Sequence, residues 1–98
     1  MLHIVRFDDH PDRLDVREQQ LPAHIAWLDA HQDVIRIAGS LRQEPDQPAI
    51  GGLWIVEAPD RACIEALLRT DPFWICGLRR RVDILVWSKA FPQRLTRL

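Results

Sequence analysis

Apolar and polar residues fall into short blocks along this chain, separated by clusters of Asp, Pro and Gly. Leu2–Phe7 is short and rich in β-branched residues, and Asp8-Asp9-His10-Pro11-Asp12 follows, so the pattern predicts a first strand stopped by that polar run. Residues 8–20 are polar and charged and predict a connection or a loose helical turn. Pro22 suits the first turn of a helix, where its missing N–H has no partner to lose, and Ala23–His31 contains strong helix formers with neither Gly nor Pro. The expectation is a helix over residues 21–32. Val34–Ala38 alternates in part and ends at Gly39-Ser40, predicting a second strand. Residues 42–50 hold the densest turn signals in the chain and predict a loop. Gly51–Glu57 predicts a third strand. Asp60 predicts the cap of a second helix running from Arg61 to Thr70, in which Cys63, Ile64, Leu67 and Leu68 recur at helical spacing. Asp71-Pro72 ends it, Phe73–Gly77 predicts a short turn, and Val82–Trp87 a final strand.

The resulting order is strand, helix, strand, strand, helix, strand. Two such units predict an α+β fold of the ferredoxin-like kind, a four-stranded antiparallel sheet with its two main helices on one face. The strands over 53–57 and 82–87 place bulky residues on both sides, so the second sheet face also needs a cover. A second copy packed sheet to sheet supplies one, and a homodimer is expected.

Composition narrows this picture. Ninety-eight residues suit one domain, here residues 1–91 with a loosely held tail over 92–98. An apolar content of 47% excludes disordered and collagen-like chains. The 13 Lys and Arg balance the 14 Asp and Glu, leaving a net charge of −1, without the basic excess of a nucleic-acid binder. No apolar run approaches the roughly 20 residues of a membrane helix, and Met1–His10 lacks a signal peptide's apolar stretch, so a cytoplasmic protein without membrane contact is expected. Cys63 and Cys76 are too few for a disulfide scaffold and read as small buried hydrophobes.

Candidate chemistry is sparse. His24 and His31 stand seven apart, too far for a zinc helix, and Gly51-Gly52 lacks the Lys and Ser or Thr of a phosphate loop. Ser40, His24 and Asp71 form a triad only if a structure is assumed. His24 is either a satisfied core residue or one turned toward a cavity, on a helix whose sheet-facing side is expected to be mostly apolar. An early-helix place would let the helix dipole keep its imidazole neutral. Asp71 is either a turn residue accepting backbone N–H groups or the carboxylate that orients His24. Arg79-Arg80-Arg81 enters a strand, where edge charges commonly block unwanted pairing. Of the four tryptophans, Trp74, beside Asp71-Pro72-Phe73, is the one expected to line a pocket.

Pro22-Ala23-His24-Ile25-Ala26-Trp27-Leu28, then Ala38-Gly39, Gly51-Gly52 and Asp71-Pro72-Phe73 with Gly77-Leu78 resemble the YCII-related family of the dimeric α/β-barrel superfamily. The likeness runs from the first strand to about Phe91. It implies a ferredoxin-like subunit pairing sheet to sheet around a pocket with a His–Asp pair, here His24 and Asp71 as catalytic candidates. Arg17 matches an arginine often found before that histidine and is the candidate for holding an anionic group. Ser40 stands where the family often has proline. Ser40, Phe73 and Trp74 complete the candidate substrate-binding set. One branch of the family dehydrochlorinates chlorinated hydroxyquinols. The expectation is an enzyme that uses no metal or other cofactor and moves a proton on a small cyclic or aromatic metabolite. The rival expectation is a homodimer that binds a small molecule, or serves as an accessory subunit, without transforming it.

Overall fold

Alternation along the first strand decides the two faces of the sheet. In the computed structural model, which describes residues 1–98, β1 spans Leu2–Asp9 with His3, Val5, Phe7 and Asp9 buried and Arg6 exposed. It runs past the predicted end at Phe7 because Asp8 and Asp9 still find partners. Asp8 pairs with Gly51 of β3 (Gly51–Glu57) and with Arg81 of β4 (Arg79–Val86), and Asp9 pairs with Arg79 beyond a bulge. β2 (Ile35–Leu41) joins the other edge of β3, giving the order β2-β3-β1-β4 with every neighbour antiparallel.

Two main helices, α1 (Leu14–Ala30) and α2 (Arg61–Leu68), and a short α3 (Pro72–Ile75) complete the chain. The core lies between them and one sheet face: Val5, Phe7, Ile35, Trp54, Val56, Ala58, Ile64, Leu68 and Ile84 form one buried cluster, with Trp27 and Leu28 of α1 packed on it. Phe7 and Trp54 meet edge to face with ring centroids 4.7 Å apart, a favoured aromatic geometry. The architecture is the expected ferredoxin-like α+β fold.

Several boundaries differ from expectation, each for a physical reason. α1 begins at Leu14, not near residue 21, so Pro22 lies inside the helix rather than in its first turn. Pro22 is exposed on the helix's outer side, where losing one backbone hydrogen bond is tolerated. β4 begins at Arg79, because the bulge lets Arg79 continue the ladder from Asp9. The predicted turn after Asp71 is α3, whose N-cap is Asp71 and whose first residue is Pro72. Asp60 caps α2 as expected, accepting the Cys63 N–H at 2.9 Å, which holds its carboxyl below the usual range. Cys63 itself is exposed rather than buried, since α2 turns it to solvent.

The second sheet face has no helix. Ile4, Leu53 and Ile55 are half-buried there, and Ile37 and Leu85 are exposed. Residues 87–98 form no helix or strand, and none of the helices is long and apolar enough to cross a membrane.

Candidate functional site

The inner face of α1 explains both the misplaced start of the helix and the site. Its less exposed positions step by three or four through Arg13, Arg17, Gln20, His24, Trp27 and His31. That stripe is polar over its first half, so an apolar periodicity does not reveal it. His24 falls past the midpoint of α1, away from the positive end of the helix dipole that the early-helix reading invoked. Arg13 donates to the carbonyl of Gly77, tying the start of α1 to the turn after α3.

Asp71 is fixed from its own side. As N-cap of α3 its Oδ1 accepts the Phe73 N–H at 3.1 Å, and the same oxygen lies 2.7 Å from His24 Nδ1. An oxygen that accepts the backbone N–H is an acceptor toward the imidazole too, so Nδ1–H donates. The opposite ring nitrogen, Nε2, is then the one free to take or give a proton. His24 is 6% exposed and Asp71 1%. Phe73 stacks on the imidazole, with centroids 3.9 Å apart and planes 14° off parallel, and Trp27 extends the aromatic wall at 6.5 Å. Trp27 is held in turn by its indole N–H on Thr70 Oγ1 at 2.9 Å. Asp71 Oδ2 is buried with no hydrogen-bond partner.

Beside this pair lies a charged group. Arg79 Nη1 donates to Asp9 Oδ1 at 2.8 Å, and Arg17 Nε stands 3.7 Å from Asp9 Oδ2. Both guanidinium carbons lie over Phe73, Arg17 at 5.3 Å and Arg79 at 5.0 Å from its centroid. Gly52 leaves space beneath Arg79, since a Cβ there would meet both terminal nitrogens at 3.4 Å and the Gly39 carbonyl at 3.2 Å. Burial lowers the Arg17 guanidinium from its ordinary value, Asp9 opposes that, and repulsion from Arg79 and Arg42 adds to it. A cleft of about 220 Å³ reaches Asp9 between the start of α1 and the β2–β3 loop, lined also by His10, Pro11, Leu14, Gln47 and Ile50.

The structure therefore brings His24, Asp71, Phe73 and Arg17 together. Ser40 is exposed and accepts from Arg42 Nη2 at 2.7 Å; its register opposite Gly52 puts it on the helix side of the sheet, but it makes no triad with His24. Trp74 packs against the core and borders a separate hollow with Arg61, Glu65, Arg69 and Val82, because α3 turns it toward α2. Asp9 and Arg79 are the residues sequence reasoning missed. Extending the alternation His3, Val5, Phe7 by one step would have placed Asp9 inside; its pairing with Arg79 follows from the bulge between Asp8 and Asp9. No three His, Cys, Asp or Glu side chains gather in a way that could hold a metal ion.

The comparisons with known proteins fit this geometry. A solved dehydrochlorinase of 5-chloro-2-hydroxyhydroquinone from Burkholderia phenoliruptrix AC1100, in complex with 2,5-dihydroxybenzoquinone, superposes with a TM-score of 0.80 at 26% identity, covering 90% of this chain and 94% of that one. A protein described among the antibiotic biosynthesis monooxygenases, from Bacteroides thetaiotaomicron VPI-5482, matches with a TM-score of 0.55 at 17% identity over 99% of this chain and 95% of that one, a likeness of fold alone. Another antibiotic biosynthesis monooxygenase gives 0.53 at 17% identity over 92% of this chain and 99% of that one. No curated protein matches significantly. This is the subunit fold of the dimeric α/β barrels, and the YCII-related domain matches residues 1–88. The chain belongs to the YCII-related domain family.

Proposed function

We propose that this protein is an acid–base enzyme acting on a small ring compound, with no metal or other cofactor in its reaction. His24 Nε2 moves the proton, Asp71 positions the imidazole, Arg17 holds an anionic group of the substrate, and Phe73 supports the imidazole from below. The observation that supports this best is the buried 2.7 Å contact between His24 Nδ1 and the N-cap carboxylate of Asp71. It fixes which ring nitrogen points away from the carboxylate, as an orienting carboxylate does in acid–base sites. Burial next to Phe73 and Trp27 lowers the local dielectric, which strengthens the influence of the carboxylate on a charged imidazole. Positioned proton transfer of this kind contributes about 10²–10⁴ in rate.

The likeness to a dehydrochlorinase suggests the first substrate to try. Loss of HCl from 5-chloro-2-hydroxyhydroquinone releases one proton and one chloride and needs no oxidant, so a proton-moving side chain with guanidiniums nearby covers its requirements. The assembly we propose is a homodimer through the helix-free sheet face, where Ile4, Ile37, Leu53, Ile55 and Leu85 meet their counterparts.

The test is chloride release from 5-chloro-2-hydroxyhydroquinone by wild type and by His24→Asn, whose side-chain amide can still donate to Asp71. Wild type should release chloride well above the uncatalysed rate and the variant should fall by about 10²-fold or more. Full activity in His24→Asn contradicts the proposal. No release by wild type, with 2,5-dihydroxybenzoquinone still bound, favours the non-catalytic binding homodimer instead.

A further inference from the structure

Two guanidiniums and one carboxylate meet near the β2–β3 loop, and their charges do not cancel. Asp9 is 7% exposed and Arg79 9%, so this is an interior group rather than a surface pair. One N–H of Arg79 satisfies Asp9 Oδ1, but Arg17 Nε at 3.7 Å from Oδ2 is too far for a hydrogen bond. Asp9 Oδ2, Arg17 Nε and Arg79 Nε are all buried without a hydrogen-bond partner. Arg42, at the rim beside Ser40, adds further positive charge that acts on Arg17. Polar atoms left this way are expensive, and several at one spot, next to a cleft, point to a ligand.

We propose that Arg17 and Arg79 form an oxyanion subsite for a ring-bound phenolate, enolate or carboxylate of the substrate, with Asp9 as the internal counter-ion that holds the two guanidiniums apart. This rests on the reading of His24 as the place where the substrate reacts. A guanidinium fork suits a planar oxyanion, and one carboxylate between two arginines leaves the site positive. Phe73 links the two halves: the imidazole stacks on it, and both guanidinium carbons lie within 5.3 Å of its centroid. Phe73 is thus a common neighbour of the imidazole and of both guanidiniums. Asp9 also lines the cleft between the start of α1 and the β2–β3 loop. A purely structural ion pair accounts for Asp9 with Arg79 but leaves the second and third arginines unexplained.

Calorimetric binding at neutral pH tests it, with 2,5-dihydroxybenzoquinone as an ionised ring, 2,5-dihydroxybenzoate as a carboxylate and hydroquinone as a neutral ring of the same size. Wild type should bind at least one anion about tenfold or more tighter than hydroquinone, and the tighter anion names the oxyanion read. Arg17→Gln, on the partly exposed edge of the site, should lose about tenfold on the anions and little on hydroquinone. Asp9→Asn keeps an acceptor for Arg79 while removing the opposing charge, and should bind the anions at least as tightly as wild type. Equal affinity of wild type for anions and hydroquinone, or unchanged anion affinity in Arg17→Gln, overturns the subsite. The His24→Asn protein separates the two readings. The subsite predicts that it keeps arginine-dependent anion binding, whereas the proton-transfer reading stands or falls on its chloride release.

Discussion

At Asp71 a single oxygen serves two donors, the Phe73 N–H and His24 Nδ1, and that sharing joins a helix cap to the side chain proposed to move the proton. The two roles separate by substitution. Asp71→Asn preserves an oxygen for the cap while removing the negative charge. Asp71→Ala removes both and leaves a buried imidazole N–H without its partner, a loss of about 1–3 kcal/mol for the unsatisfied donor with about 1 kcal/mol more for the cap. Thermal melts should show Asp71→Ala far below wild type and Asp71→Asn close to it; equal loss in both would mean that the charge itself holds the fold. His24 and Asp71 were legible as candidates because a histidine at the family's helix position and an Asp-Pro-aromatic turn are local signatures. Their union was expected through the family resemblance and not through local spacing, which cannot bring together residues so far apart in the chain. Arg79 was hidden for another reason. In a run of three arginines the one turned inward is set by the bulge between Asp8 and Asp9, which the sequence pattern does not mark.

The elements themselves were legible wherever an apolar rhythm met a clear stop. β3 matches its expected limits, and α2 begins where Asp60 caps it. The first two turns of α1 were not, because the inner stripe there carries Arg13, Arg17 and Gln20, so a polar face erased the apolar signal and Pro22 read as a start. The internal proline has a consequence for stability. It cannot donate to the Glu18 carbonyl one turn earlier, and a proline in a helix interior is disfavoured by roughly 3 kcal/mol relative to alanine. Pro22→Ala should therefore raise the melting temperature by about 10 °C or more, at about 4–8 °C per kcal/mol for a domain of this size. An unchanged or lower melting temperature would contradict that cost.

For the whole molecule, one sheet face is covered and the other is not. The covered face holds the core and the charged site, whereas the open face presents Ile4, Leu53, Ile55, Ile37 and Leu85 beside the Arg6–Asp83 ion pair. Apolar surface of this kind on a small domain favours self-association, and an isologous sheet pair closes after two copies. Light scattering on the eluting protein should give twice the 11.4 kDa chain mass, and Ile55→Glu should return it to the chain mass without unfolding it. Wild type at the chain mass would refute the dimer. The expected fold order and the need for a second cover were both readable from bulky residues on two sides of the strands; which face faces the helices required the β1 register.

The most direct test of the account is the kcat of Asp71→Asn in chloride release from 5-chloro-2-hydroxyhydroquinone, measured beside its KM and melting temperature. A carboxylate that positions the proton-moving imidazole predicts a kcat lower by about 10²–10⁴ with KM and melting temperature little changed. A kcat equal to that of wild type would leave Asp71 as a helix cap and nothing more.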